Sequence, residues 1–237
     1  MSGIGAIALE FLGRGGKKLR PRLCRAAYLR CGGGEGAIDA VCDAVECFHK
    51  ASLIHDDIQD GDEERYGRPT VWKEHGVPVA IAAGDWLVAH GYRLITESGF
   101  AAMPRMIHAA VLSHVRLCEG QGDDLLVGGG QLPTTNYQLP STNCQLPSTN
   151  YQLPTTNYIS VCERKTGEAF ALAAQLGALA AGADDAPFRR YGLAYGVLFQ
   201  INDDIADGAN PAPLAELKRE YEDKTALYRD ECAIGVW

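Results

Sequence analysis

Several patterns that assign a chain to a broad class are missing from this sequence. No run of apolar residues approaches the roughly 18 that a membrane-spanning helix needs, and the N-terminal segment lacks the basic start and small-residue cleavage site of a secretory leader. The eight cysteines form no CxxC pair and no spacing typical of a disulfide-stabilised secreted domain. We therefore expect reduced thiols in a cytoplasmic protein with no transmembrane segment.

A basic surface is missing as well. The 237 residues carry a formal net charge of −8, and their lysines and arginines are dispersed, which argues against a nucleic-acid partner. With 46% hydrophobic residues, the chain can bury a sizeable core, and its length requires only one domain. We expect a single domain over residues 1–237 that holds any anionic substrate locally.

Period-two strand patterns are nearly absent. Apolar positions instead recur at spacings of three and four in six Ala/Leu-rich stretches, which indicates helices. The predicted helices cover residues 19–31, 37–60, 77–97, 101–127, 158–181 and 186–207. This pattern predicts an all-α bundle with ligand sites between facing helices.

Residues 131–158 are four tandem heptapeptides, QLPTTNY, QLPSTNC, QLPSTNY and QLPTTNY. Each unit contains a proline and only one aliphatic residue, which would interrupt a helix every second turn and excludes a coiled coil. We expect an inserted, exposed loop. It could be a partner-binding arm or a neutral repeat expansion, and the slow growth of closure entropy with loop length favours the expansion.

The chain contains the same carboxylate pattern twice, each time at the end of a helix-patterned stretch. The two clusters are Asp56-Asp57-Ile58-Gln59-Asp60 and Asp203-Asp204-Ile205-Ala206-Asp207. On a helix, the first and last aspartates of each cluster share one face. A solvated acidic helix end would explain a single cluster, but burying six unpaired carboxylates would be costly. We therefore expect facing clusters that hold Mg²⁺ together with substrate phosphates.

Other polar residues fit a phosphate-binding site. The segment 15–21, GGKKLRP, places a glycine pair, Lys17, Lys18 and Arg20 at a helix start, where free backbone N–H groups also favour anions. His49 lies two turns before Asp56 on about the same face. A solvated helix surface or a satisfied core histidine would also explain these residues. Four further candidates gain weight only from the whole set: Arg65, Lys165, Thr166 and Gln200.

Seven segments resemble, in order and approximate spacing, the trans-isoprenyl diphosphate synthases, also called the polyprenyl synthetase family. The segments are GGKKLRP (15–21), HKASLIHDDIQD (49–60), RYGRPT (65–70), AAGDWL (82–87), EGQGDDL (119–125), KTG (165–167) and FQINDDIAD (199–207). The resemblance implies an isoprenoid-synthase-type helical bundle around a deep central cavity. It also implies that the two aspartate clusters lie on opposite walls of the cavity mouth.

The resemblance further implies a reaction. An allylic diphosphate loses its diphosphate with the help of Mg²⁺, and the double bond of isopentenyl diphosphate attacks the resulting cation. The implied metal ligands are Asp56, Asp60 and Asp203, with Asp57, Asp204 and Asp207 in support. The implied diphosphate contacts are Lys17, Lys18, Arg20, His49, Arg65 and Lys165. The implied oxygen dipoles near the cation are those of Thr166 and Gln200.

Product length and assembly also follow from the resemblance. The growing chain would extend along the helix that carries Asp56, and the residues one turn before it, Ala51 and Ser52, are small. They favour a product of geranylgeranyl length or longer, with Phe48, two turns before, as the candidate floor of the cavity. A homodimer is expected.

The match also shows departures. Tyr66 stands where the family has a second arginine that helps to bind isopentenyl diphosphate, and family members extend further at both ends. Two interpretations stay open: an active prenyltransferase, favoured by all six aspartates, and a non-catalytic or regulatory homologue that binds diphosphates without turnover. A terpene cyclase would share the metal chemistry but would need neither segment 15–21 nor His49.

Overall fold

The structure, a computed structural model, describes residues 3–127, 155–208 and 211–234, and within these residues the chain is almost entirely helical. The helices are α1 (Gly3–Gly13), α2 (Leu19–Arg30), α3 (Asp39–Asp60), α4 (Val71–His75), α5 (Val77–Thr96), α6 (Met103–Val127), α7 (Thr155–Cys162), α8 (Glu168–Ala180), α9 (Ala186–Ala206) and α10 (Pro211–Cys232). A π-helical turn, Glu163–Gly167, joins α7 to α8. Two short strands, β1 (Glu64–Arg65) and β2 (Arg68–Pro69), form a hairpin. The all-α prediction is confirmed.

Five predicted helices are confirmed with small differences at their ends, and they correspond to α2, α3, α5, α6 and α9. The stretch predicted as one helix over 158–181 is instead α7, the π-helical turn and α8. A π turn adds one residue without ending the helix, so a spacing pattern does not reveal it. Helices α1, α4 and α10 lie outside the predicted set.

Most of the heptapeptide segment lies outside the described residues, and the loop expected over 131–154 stays a prediction. Residues 155–158 belong to α7, so the predicted loop is wrong at its end. Between Pro154 and Pro187 the sequence contains no proline, which leaves this stretch free to form helix.

Helix α8 links the two helices that carry the aspartate clusters. It packs against α2, α9 and α3, and it is apolar around nearly its whole circumference, as expected for a helix enclosed by others. Glycines allow these helices to approach closely. A Cβ at Gly177 would clash with the carbonyl oxygen of Cys24, and one at Gly192 would lie 2.5 Å from that of Phe170. The positions of α3 and α9 are therefore set by a tightly packed core.

The described cysteines agree with the expectation of reduced thiols. Free thiols are found at Cys24, Cys31, Cys42, Cys47, Cys118, Cys162 and Cys232, of which only Cys118 is exposed. In the ranges that the structure describes, no helix combines the length and apolar character needed to cross a membrane.

Candidate active site

The first aspartate cluster ends α3, next to the β1–β2 hairpin. Asp57 is fully buried, and its Oδ1 accepts a hydrogen bond from Arg65 Nε at 2.5 Å. Its Oδ2 has no hydrogen-bond partner among the described residues. Burial raises the pKa of Asp57 in spite of the ion pair, and it raises the pKa of Asp56 to about 6. Burial therefore disfavours the charged form of these two carboxyl groups, and a bound divalent cation would offset that effect.

The second aspartate cluster ends α9, whose C-cap is Asp207. Asp203 and Asp207 are exposed, and Asp204 is partly buried. The carboxylate of Asp204 accepts hydrogen bonds from the Tyr158 hydroxyl at 2.5 Å and from Gln200 Nε2 at 2.7 Å. Neutral donors thus orient the middle carboxylate of this cluster, in contrast to the cation that orients Asp57.

Lys165 lies in the π-helical turn within electrostatic reach of the first cluster. Its Nζ donates a hydrogen bond to Asp124 at 2.6 Å. Burial works to lower the pKa of Lys165, but the bond to Asp124 and the charges of Asp56 and Asp60 outweigh it and raise the pKa. The ammonium is therefore held charged at the mouth of the first cluster.

Thr166, the next residue, connects this turn to the second cluster. It is buried, and its hydroxyl donates to Gln200 Oε1 at 2.7 Å. Gln200 in turn donates to Asp204. The structure therefore brings Lys165, Thr166 and Gln200 together between the two aspartate clusters.

The carboxylates do not form a metal cage by themselves. In the part of the chain that the structure describes, no group of three acidic, histidine or cysteine side chains could surround one ion. Mg²⁺, however, is usually bound through one or two carboxylates and completes its shell with water and substrate phosphates. Exposed carboxylates on two helix ends and the unpartnered oxygen of Asp57 fit this second mode.

The predicted diphosphate-binding loop joins α1 to α2. Lys17 and Lys18 are exposed, and Lys18 is the N-cap of α2 with φ of 50°. Helix α2 begins at Leu19, as the sequence predicts. The loop thus presents two ammonium groups beside the free N–H groups of a helix start, which together attract an anion.

Arg20 and His49 contact each other beside this loop. Arg20 Nη1 lies 3.3 Å from His49 Nε2. Burial, together with the charge of Arg20, lowers the pKa of His49 to about 2, so the neutral imidazole accepts the guanidinium hydrogen bond. Burial also lowers the pKa of Arg20 to about 10. The Nε of Arg20 is buried and has no hydrogen-bond partner among the described residues, and the guanidinium lies 4.3 Å from the centroid of the Phe170 ring.

Arg65 and Tyr66 lie in the hairpin and point to different parts of the site. Arg65 pairs with Asp57 and lies 3.5 Å from Asp62, which places it at the first cluster. Tyr66 packs on Gly15, where an added Cβ would lie 3.1 Å from the ring. Its φ of 57° is in the left-handed region, as the first central residue of a tight hairpin requires.

The candidate product-length residues occupy different faces of α3. Ala51 is buried, but Ser52 is exposed and its hydroxyl donates to the His49 carbonyl at 2.8 Å. The prediction that these small residues leave room for a long product stays a prediction. Phe48 is buried against Tyr92 and His114, with ring centroids 5.2 and 4.5 Å away.

A surface cleft of about 460 Å³ lies away from these residues, among α6, α8 and α9. Its arginines are neutralised by nearby carboxylates: Arg105 pairs with Asp185, and Arg116 and Arg189 pair with Glu168. None of the predicted site residues lines it. The deep cavity expected behind the aspartates therefore stays a prediction.

Three residues without a predicted role contact the candidate site. Asp124 accepts a hydrogen bond from Lys165, Tyr158 donates one to Asp204, and Lys50 donates one to the carbonyl oxygen of Gly15. For Asp124 a sequence signal exists, since it belongs to the matched segment EGQGDDL. The contacts of Lys50 and Tyr158 depend on packing between segments distant in sequence, and no local sequence pattern predicts them.

Comparison with known sequences gives a family match and close relatives. The family model described as Polyprenyl synthetase matches residues 3–223. The chain is 36% identical over 198 residues to a geranylgeranyl diphosphate synthase of Mycobacterium tuberculosis, a match that covers 81% of this chain and 51% of that protein. A short chain isoprenyl diphosphate synthase of Methanothermobacter thermautotrophicus is 33% identical over 197 residues and is covered to 54%. The chain thus spans about half the length of these curated relatives.

Comparison with solved structures supports the fold. A geranyltranstransferase of Thermotoga maritima superimposes with a TM-score of 0.76 at 24% identity, covering 98% of this chain and 82% of that one. Likeness at this identity shows the architecture alone. The expected isoprenoid-synthase-type helical bundle is confirmed.

Proposed function

Since this chain belongs to the polyprenyl synthetase family, we propose that it condenses isopentenyl diphosphate with an allylic diphosphate to form a longer trans-prenyl diphosphate. The observation that carries the proposal is the placement of Lys165, Thr166 and Gln200 between the two aspartate-bearing helix ends. Lys165 lies within electrostatic reach of Asp56 and Asp60, and Thr166 is linked by hydrogen bonds through Gln200 to Asp204. The relatives named as synthases also support it. The non-catalytic alternative receives no support from the comparisons.

We propose Mg²⁺ as the cofactor. The residues that would hold it are Asp56, Asp60 and Asp203, with Asp57, Asp204 and Asp207 in support; Asp57 is paired with Arg65. The bound ion would stabilise the negative charge that develops on the departing diphosphate. The raised pKa of Asp56 supports the assignment, because a carboxylate that burial disfavours gains most from a bound cation.

The remaining groups near the clusters would act on the allylic substrate. Lys165 and Arg65 would neutralise its diphosphate, and both are already held in place by carboxylates. The Thr166 hydroxyl donates its hydrogen bond to Gln200, so the lone pairs of the Thr166 oxygen remain available to the allylic cation. These fixed dipoles would stabilise positive charge without reorganisation.

The basic loop would hold isopentenyl diphosphate through Lys17, Lys18 and Arg20. The neutral imidazole of His49 would keep the Arg20 guanidinium aimed at the anion. The double bond then attacks the cation, and a proton is lost to the released diphosphate. Water must be excluded, because it would capture the cation as an alcohol.

A product of geranylgeranyl length or longer is part of the proposal, with Phe48 as the floor of the cavity. The buried ring is supported by Tyr92 and His114, so it could stop a chain that extends along α3. A homodimer and a cytoplasmic location are also proposed. Val111 and Val115, exposed one turn apart on α6, offer an apolar surface to a second copy.

The test is incubation with Mg²⁺, isopentenyl diphosphate and each allylic diphosphate in turn, followed by product analysis. We expect elongation of the allylic substrate, with products of 20 carbons or more, about the length of a geranylgeranyl chain. Binding of the substrates without any elongation would support the non-catalytic homologue and reject the proposed activity. Elongation that ends at 15 carbons would reject the proposed product length alone.

A further inference from the structure

Lys50 is a charged residue that the proposed reaction does not use. Its side chain is fully buried on α3, and its Nζ donates hydrogen bonds to the carbonyl oxygens of Arg14 at 2.6 Å and Gly15 at 2.9 Å. Burial lowers the pKa of this ammonium group. Because a buried ammonium is unfavourable unless its donors are satisfied, the two carbonyl bonds are what makes this position tenable.

Tyr66 covers the same ammonium group. Its ring centroid lies 4.3 Å from Lys50 Nζ, within the range of a cation–π contact. The residue adopts φ of 57°, a left-handed conformation that costs a non-glycine residue on the order of 1 kcal/mol. Since Tyr66 is 42% exposed, its own burial explains little of this placement. The tight hairpin turn sets this backbone conformation, and the contacts with Lys50 and Gly15 set where the ring lies.

Both side chains meet at the glycine pair of the basic loop. Gly16 has φ of 107°, and a Cβ there would lie 3.5 Å from the Tyr66 hydroxyl and 3.7 Å from Lys50 Nζ. The two exposed lysines of the loop follow directly in sequence. The path of the backbone that leads to them is therefore set by Lys50 and Tyr66.

Glu46, one turn before Lys50 on α3, balances its charge. It is buried, and its Oε2 has no hydrogen-bond partner among the described residues. Burial raises the pKa of Glu46, while the charges of Lys50, Lys18 and Arg20 oppose the rise. Lys50 and Glu46 together add little net charge to the loop. The effect of Lys50 on an anion would thus come from the shape of the loop.

We propose that Lys50 and Tyr66 are positioning residues, which hold loop 15–18 in the shape that binds the diphosphate of isopentenyl diphosphate. This chain lacks the second arginine of the hairpin, and a fixed loop takes over part of its contribution to binding. The inference rests on the proposed function and deepens it at one substrate site. Full burial of Lys50 and the use of its donors by two carbonyls disfavour a direct contact with the anion.

The closing experiment compares Tyr66→Ala, Tyr66→Phe and Lys50→Met, with calorimetric binding of isopentenyl diphosphate in the absence of metal. Tyr66→Phe keeps the ring and should bind within about twofold of the wild type. Tyr66→Ala removes the cation–π contact and should weaken binding about fivefold. Lys50→Met removes two charge-assisted hydrogen bonds and should weaken it about tenfold. The matched control is Lys73→Met, at an exposed lysine paired with Glu63.

In turnover, the KM for isopentenyl diphosphate should rise by the same factors, whereas the KM for the allylic diphosphate stays constant. Tighter binding in Tyr66→Ala would overturn the proposal, because it would mean that the ring shields an ammonium that contacts the anion directly. Equal effects on both KM values would also overturn it. Tyr66 is half-exposed, so its variants keep the question testable even if Lys50→Met fails to fold.

Hydrogen exchange separates this inference from the proposed function. In the absence of any substrate, the amides of loop 15–18 should exchange about tenfold faster in Lys50→Met and in Tyr66→Ala than in Tyr66→Phe. Unchanged exchange in both would reject the positioning role by itself. Failure of the wild-type chain to bind isopentenyl diphosphate would instead reject the proposed function.

Discussion

The ends of α3 and α9 carry the same spacing of three aspartates in different surroundings. In the first cluster, Asp57 is fully buried and paired with Arg65, and Asp56 has a pKa raised by burial to about 6. In the second cluster, Asp203 is exposed, and Asp204 accepts hydrogen bonds from neutral groups. The same spacing of aspartates therefore has a buried middle carboxylate paired with a cation on one helix, and a partly buried middle carboxylate bonded by neutral donors on the other.

This difference suggests a division of roles between the clusters. The first is tied to the hairpin through the ion pair of Asp57 with Arg65, so its middle carboxylate is held in place before a ligand arrives. The second has fewer constraints on its outer carboxylates. Preorganisation lowers the cost of binding. We therefore expect the first cluster to determine the position of the diphosphate and the second to adapt to it.

The largest expected effect is on turnover. Asp56→Asn should lower kcat/KM for the allylic substrate on the order of a thousandfold, because several kcal/mol of charge stabilisation depend on a complete metal site. Asp203→Asn should lower it by a smaller factor if the second cluster adapts. The matched control is Asp43→Asn, at an exposed aspartate on the same helix. If Asp203→Asn lowers kcat/KM more than Asp56→Asn does, the proposed division of roles between the two clusters is reversed.

A second prediction concerns the free energy of unfolding. Asp57→Asn breaks a buried ion pair and leaves Arg65 with only the more distant Asp62, which should destabilise the fold by about 3 kcal/mol. Asp204→Asn should cost about 1 kcal/mol, since its partners are neutral. Urea denaturation measures both values. Equal losses in the two variants would show that the surroundings of the clusters differ less than the contacts suggest.

The third prediction is a pH dependence of stability in metal-free protein. The carboxyl of Asp56 titrates at about 6 in the folded chain, against an ordinary value of 3.8, so the folded state binds its proton more tightly than the unfolded state. Stability should therefore fall as pH rises through about 6. In Asp56→Asn, the decrease in the free energy of unfolding with rising pH should be smaller by on the order of 2 kcal/mol. The check is urea denaturation of both proteins at pH 4.5 and pH 8, where identical pH profiles would contradict it.

The smallest expected effect is at the second cluster. Burial and the hydrogen bond to Asp204 raise the pKa of Tyr158, so the phenol is a neutral donor. Tyr158→Phe removes this bond and should lower the free energy of unfolding by about 1 kcal/mol. In combination with Asp204→Asn, the two losses should be less than additive. Full additivity, measured by urea denaturation, would show that the bond contributes nothing.

Local patterns explain why part of the site could be predicted from sequence. The first and last aspartates of each cluster are one helical turn apart, and the lysines precede a helix start, so spacing alone places the aspartate pair on one face and the lysines on one loop. The predicted start of α2 at Leu19 is confirmed for the same reason. The expected metal and substrate roles of these residues stay predictions, since they were inferred from the family resemblance.

Contacts between distant segments could not be predicted. The bond from Lys50 to Gly15 joins positions 35 residues apart, and no periodicity specifies which buried lysine meets which carbonyl. The π-helical turn was missed because its residues, Glu163–Gly167, have no composition that separates them from an α-helix.

The hydrogen bond between Lys165 and Asp124 joins positions 41 residues apart, and the three complete heptapeptides before α7 lie between them. Whatever path those residues take, Asp124 is positioned by α6 and Lys165 by the π-helical turn. Gain or loss of one unit would change the closure entropy of the connection by only roughly 0.2 kcal/mol. Related chains could therefore differ in repeat number by whole units and still carry out the same chemistry.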